Sequence, residues 1–125
     1  MSGKVFYNKL IRDGIPKKIE SNGSKYELRQ ITEDSEFQQE LLKKVEEEAG
    51  ALSMVRNRAE FLNEYADLMV VLDALTHLLE FSEADITTAL AENLDKKGGF
   101  KKRLFLHWSE DTDYKSNETP QGLRQ

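Results

Sequence analysis

Apolar positions fall at helical spacing in three long stretches of the chain, and each stretch carries its own boundary signals. Between residues 35 and 55, Phe37, Leu41, Val45, Ala49, Leu52 and Val55 lie on one side of a helix turning about 100° per residue. Ser35 with Gln38 resembles a capping box at its start. Asn57 is a suitable cap for a second helix over about 58–80, whose centre, Tyr65 to Leu72, is nearly all apolar. A helix of that kind is expected to be covered on most sides, within one chain or between subunits. Ser82 and Asp85 open a third over about 83–97, which stops at Gly98-Gly99.

Before these stretches the pattern is shorter. Asp13-Gly14 followed by Ile15-Pro16 predicts a turn into a short helix with the proline in its first turn, ending near Asn22-Gly23. Residues 25–31 alternate Tyr26 and Leu28 with polar neighbours and predict a short strand. Beyond Leu106 the chain turns polar, with Trp108 the one large residue expected to pack back. The two prolines, Pro16 and Pro120, bound a long proline-free interval, which also favours helices. The expectation is an all-α fold, a helical bundle of about four helices with a short N-terminal strand or hairpin. The domain should cover residues 1–106 and a polar C-terminal tail residues 107–125. Gly50 lies within the first long helix and marks a kink or a close helix contact there.

Composition narrows the function. Of 125 residues, 33% are charged, against about 25% in an average domain. The balance of 18 basic and 23 acidic residues argues against a general nucleic-acid coat, which needs a dense positive face. With no cysteine, disulfides, thiolate metal sites and cysteine nucleophiles are excluded, and two histidines make a poor metal cage. No apolar run approaches the roughly 18 residues of a membrane span. A cytoplasmic location is expected.

The informative residues are acids on apolar faces. In Glu46-Glu47-Glu48 the helical wheel separates three neighbours: Glu46 points away, Glu47 sits on the flank, and Glu48 falls between Leu41 and Leu52 inside the apolar stripe. In the next helix Glu64 and Asp67 share a face, with Glu60 one turn before and Val71 and Leu78 further along. A carboxylate in such a place is costly unless it is paired or bound to a cation. For Asp67 the alternative is a bond to a lysine, an arginine or a backbone group; Asp73 belongs to a solvated face. Antiparallel helices can bring Glu48 opposite Glu64 and Asp67, and an all-oxygen set suits Mg²⁺. Lys9, Arg12, Lys44, Lys96 and Lys97 supply cations for a phosphate chain, and Lys101, Lys102 and Arg103 follow. The plain alternative for each lysine is a solvated surface.

These residues also carry a resemblance. Asn8-Lys9-Leu10-Ile11-Arg12-Asp13-Gly14-Ile15-Pro16 is close to an N-K-L-V-R-D-x-I-P opening; Glu47-Glu48 and Glu64-Tyr65-Ala66-Asp67 resemble E-E-x-x-E and E-x-x-D metal motifs; Lys96-Lys97-Gly98-Gly99-Phe100 is similar to a K-x-x-R-G-G-F ending. Together they resemble the MazG-like all-α nucleoside-triphosphate pyrophosphohydrolases, in the phosphoribosyl-ATP-pyrophosphohydrolase-like branch, over about residues 4–106. The last Glu of the first motif falls at Ala51, or at Gly50 one residue earlier in register. The resemblance implies hydrolysis of the α–β phosphate bond of a nucleotide. Mg²⁺, or Mn²⁺ in its place, is held by Glu48, Glu64 and Asp67, with Glu47 and Glu48 in catalytic roles. Lys9, Arg12, Lys44, Lys96 and Lys97 bind the phosphates, and the assembly is a homodimer or homotetramer. The alternatives are a true phosphoribosyl-ATP pyrophosphohydrolase, a catalytically lapsed helical module that binds a nucleotide or a partner, and a plain structural dimer.

Overall fold

The computed structural model describes residues 3–118 and 121–123; Pro120 and the ends of the chain lie outside them. Four helices form in order: α1 (Ile15–Ser21), α2 (Asp34–Ser53), α3 (Arg58–Leu78) and α4 (Glu83–Lys97). No strand occurs among the described residues. The chain divides into two compact units, Met1–Thr88 and Ala89–Gln125, and α4 runs from one into the other.

Local chemistry accounts for the helix ends. Pro16 sits in the first turn of α1, where its missing N–H costs nothing. Gly23, at φ +71°, closes the helix by donating its N–H to the Glu20 carbonyl, while the Ser24 N–H reaches back to Ile19. α3 starts where expected: the Asn57 side chain accepts from the Glu60 N–H at 2.9 Å. It ends two residues earlier than the pattern predicts, in the same six-residue closure, with the Phe81 N–H on the Thr76 carbonyl and the Glu80 N–H on His77. Glu80 occupies the left-handed position there at φ +61°, where glycine is the usual residue. α4 has the predicted reciprocal cap, Asp85 N–H to Ser82 Oγ at 3.1 Å and Ser82 N–H to Asp85 at 2.9 Å. Those bonds hold the Asp85 carboxyl below its ordinary value.

Two expectations fail for identifiable reasons. The Ser35–Gln38 capping box does not form. Glu33 is the N-cap and makes no side-chain cap bond, and the first turn instead carries Asp34 and Glu36 against the positive end of the helix dipole. Residues 25–31 make no strand. A strand needs a second to take up its N–H and C=O groups, and none is adjacent. This linker is tied to the helices by side chains instead, Tyr26 donating to Glu20 and Arg29 pairing with Glu36.

In the first unit the packed pair is α2 against α3, an antiparallel hairpin joined by residues 54–57. Its buried centre is Leu41 with Val71 and Leu75, and Leu10, Phe37, Val45, Ala74 and Leu78 pack around it. Of the predicted α2 stripe, Ala49 stays exposed, and Gly50 has open space where a Cβ would stand, so no close contact explains it. α3 is not covered on most sides: Leu62, Tyr65, Met69, Leu72 and Leu79 form an exposed apolar seam at helical spacing. In the second unit Gly98, at φ +75°, ends α4 by donating to the Leu94 carbonyl at 2.7 Å. The described part of 107–125 forms no helix or strand, and Trp108 is 80% exposed rather than packed back.

Candidate functional site

The register that buries Leu41 against Val71 and Leu75 sets what meets two turns further along α2. There Glu48 comes opposite Glu64 and Asp67, and one carboxylate oxygen from each lies within 4.8 Å of the others. All three side chains are half-buried. The helical wheel therefore sorted the three consecutive glutamates correctly in space. Glu46 is exposed and takes no part, while Glu47 stands on the flank with a side chain 42% exposed.

Like charges this close oppose one another. The Glu48 carboxyl is pushed above its ordinary value, first by burial and next by the charge of Asp67; Lys44 opposes the rise, and Glu47 and Glu64 add to it. Glu47 moves the other way. It accepts from the Lys9 ammonium at 2.8 Å, which holds its carboxyl low, and Lys44 at 3.3 Å acts in the same sense against partial burial. The Lys44 side chain is only 14% exposed, so its stem lies along the hairpin while its charge reaches the acids.

Cations also arrive from the N-terminal segment. Arg12 stands 3.4 Å from Asp67. The alternative reading of Asp67, a carboxylate satisfied by a basic side chain, is thus met in part, by a long contact between groups 54% and 38% exposed. Among the described residues Glu48 and Glu64 make no ion pair of that kind.

The cluster borders a cleft of about 780 Å³, lined on its apolar side by Leu10, Ile15, Phe37 and Val70 and on its polar side by Arg12, Lys18, Lys44, Glu48 and Asp67. A cleft of that size and mixed lining suits a small organic anion. No protein family, characterised protein or solved structure matches the chain.

The donor set fits a hard divalent ion. It is all oxygen, and in an octahedral Mg²⁺ site opposite ligands stand roughly 4.2 Å apart, so small side-chain rotations would close the three carboxylates onto an ion. Ala51, where the resemblance expects another acid, is half-buried and offers no donor. Glu60 is consumed elsewhere, bound to Arg56 and to the α3 cap. Asp73 is solvated, facing His77 at 3.6 Å.

Lys96 and Lys97 lie at the exposed end of α4 in the second unit, and Lys97 reaches the Tyr114 hydroxyl at 3.4 Å. Lys18 is the cleft residue that the sequence did not single out. Nothing in the pattern separates it from Lys17, because only the path of α1 decides which of the two faces the hairpin. That Lys9 and Arg12 in particular are the basic groups paired with the acids was likewise not foreseen.

Proposed function

We propose that the protein is a Mg²⁺-dependent nucleotide pyrophosphohydrolase, cleaving the α–β phosphate bond to release a nucleoside monophosphate and pyrophosphate. The observation that carries this reading is the convergence of Glu48, Glu64 and Asp67 beside a cleft that also holds cations. Three half-buried carboxylates within reach of one another, with the Glu48 carboxyl raised by burial and by the charge of Asp67, are a costly arrangement that a divalent ion would relieve. The motif resemblance supplies the reaction class.

In this reading Glu48, Glu64 and Asp67 hold Mg²⁺, with Mn²⁺ able to substitute. The bound ion would supply positive charge to the phosphate chain and to the departing pyrophosphate. Lys44 and Arg12 orient and neutralise the phosphates from the cleft, and Lys9 adds to that charge. Glu47 positions the attacking water by accepting its hydrogen bond. It is a poor proton acceptor while Lys9 and Lys44 hold it ionised, so its basicity depends on where Lys9 sits. The apolar wall with Phe37 takes the base. The exposed α3 seam of Leu62, Tyr65, Met69 and Leu72 is the surface on which a homodimer or homotetramer would form.

A second reading rests on Ala51. With three acidic ligands rather than four, the same cleft would serve a module that binds nucleotide without turning it over. Incubation with Mg²⁺ and a panel of nucleoside triphosphates, with phosphoribosyl-ATP alongside, separates them. The hydrolase reading expects pyrophosphate release that falls at least about 100-fold in Asp67→Asn, the upper end of the loss for groups that only support a metal ligand. Turnover that survives the substitution unchanged removes the mechanism. Nucleotide binding with no product, seen by calorimetry, favours the second reading.

A further inference from the structure

Residues 8–14 form neither helix nor strand, yet they are fastened to the hairpin at three places. Leu10 packs against the apolar centre. On one side of it Lys9 reaches α2 at Glu47, 2.8 Å away; on the other Arg12 reaches α3 at Asp67, 3.4 Å away. The segment thus spans from α2 to α3, and Leu10 to Ile15 line the cleft. Asn8, at φ +47°, turns the chain just before the first fastening, a conformation asparagine tolerates better than most residues. The Ile15 N–H bond to the Arg12 carbonyl, at 3.0 Å, sets the turn after the last.

Both ion pairs are solvent-exposed, and such pairs are individually weak. They hold the segment in place without locking it.

Resting on the metal reading above, we propose that residues 8–14 are an electrostatic latch on the cleft: Lys9 and Arg12 occupy Glu47 and Asp67 until a divalent cation takes the carboxylates and a polyphosphate takes the two cations. The exchange needs both partners together. A divalent ion alone would leave Arg12 beside a like charge. A polyphosphate alone would face Glu48, Glu64 and Asp67. Together they give each separated charge a new counter-ion, the divalent ion for the acids and the polyphosphate for Lys9 and Arg12, and Lys9 leaving Glu47 restores that carboxylate as a water-orienting acceptor. The device would keep the hydrolytic site closed to either component by itself.

The chain contains no cysteine, so two can be introduced for spin labels, Val5→Cys three residues before the segment and Gln39→Cys at an exposed position of α2. Distances between the labels are measured by pulsed electron resonance. The latch expects one narrow distribution in the labelled protein that is otherwise unsubstituted. Lys9→Gln with Arg12→Gln shifts it to longer, broader distances with helical content unchanged, and the charge swap Lys9→Glu with Glu47→Lys restores it. Mg²⁺ with inorganic pyrophosphate shifts it, and neither does so alone. An unaltered distribution in the double glutamine variant overturns the latch, as does Mg²⁺ pyrophosphate that binds by calorimetry without moving the labels. Labels that move while no nucleotide is hydrolysed overturn the hydrolase reading and leave the latch standing.

Discussion

The α2–α3 hairpin has two ends that share one register and differ in what they bury. Toward the α2 N-terminus, Leu41 meets Val71 and Leu75, and these are the buried side chains of the core. Two turns on, the same helix faces bring Glu48 to Glu64 and Asp67. At the first end burial lowers free energy by removing apolar surface from water. At the second it raises free energy by crowding like charges where water is thinned. The apolar end holds the two helices at the spacing that the acidic end, left alone, would open. A stable half supporting a strained half is what a binding site built on a rigid scaffold requires.

Breaking the apolar end should have the largest effect. With so few buried side chains, Leu41→Ala is expected to lower stability by about 3 kcal/mol, measured by urea denaturation, and to abolish metal binding with it. A loss below about 1 kcal/mol would mean that Leu41 does not anchor the hairpin.

Occupying the acidic end comes next. At free Mg²⁺ tenfold above its dissociation constant, binding to the folded state adds roughly 1.4 kcal/mol. Thermal melts of the wild type should rise with Mg²⁺, and melts of Glu48→Gln should not. Without metal the ranking reverses: removing the Glu48 charge relieves repulsion, and after solvent screening the variant should gain about 0.5 kcal/mol, a rise of roughly 2 °C. A variant less stable than the wild type in metal-free buffer would show that the acidic end is not under strain.

A control away from both ends sharpens the contrast. Glu80→Gly at the left-handed position closing α3 should stabilise by roughly 0.5 kcal/mol through backbone relief alone. It should do so equally with and without Mg²⁺ in the same melts.

The smallest effect is in pH, and the two glutamates give it opposite signs. The folded Glu47 carboxyl titrates lower than an unfolded one at about 4.3, so the stability from its Lys9 contact is present above that value and fades as pH falls through the lower, folded value. The folded Glu48 carboxyl titrates higher, so its contribution is fully present below about 4.3 and fades as pH rises through the higher, folded value. Comparing stability against pH in Glu47→Gln and Glu48→Gln should give difference curves of opposite slope. With Glu47 so exposed, screening limits its part to about 0.3 kcal/mol. Curves of the same slope would mean that the two carboxylates share one environment.

Much of this hairpin was legible in the chain. The placement of Glu48 among Leu41 and Leu52, and of Glu64 and Asp67 on one face, follows from helical geometry, and so the trio could be named before any contact was known. The Asn57 cap and the Ser82–Asp85 box were legible because capping is local. The Ser35 box and the 25–31 strand were misread for complementary reasons. Several polar residues near 33–38 can cap equally well, and a strand depends on a neighbour that periodicity cannot supply. The exposed seam of α3 shows that its cover does not come from this chain, a choice the pattern left open because an apolar helix implies a cover without saying whose it is.

The sequence by itself determined four helices, their main boundaries and which acids turn inward, because backbone hydrogen bonding and side-chain period act over a few residues. Tertiary structure alone decided that Lys9 and Arg12 lie across the acids, that Lys18 rather than Lys17 borders the cleft, and that residues 25–31 form no strand. Those outcomes depend on the path of a segment without regular structure, and that path is fixed by contacts such as Leu10 on the core and Arg12 at Asp67, between residues far apart in the chain.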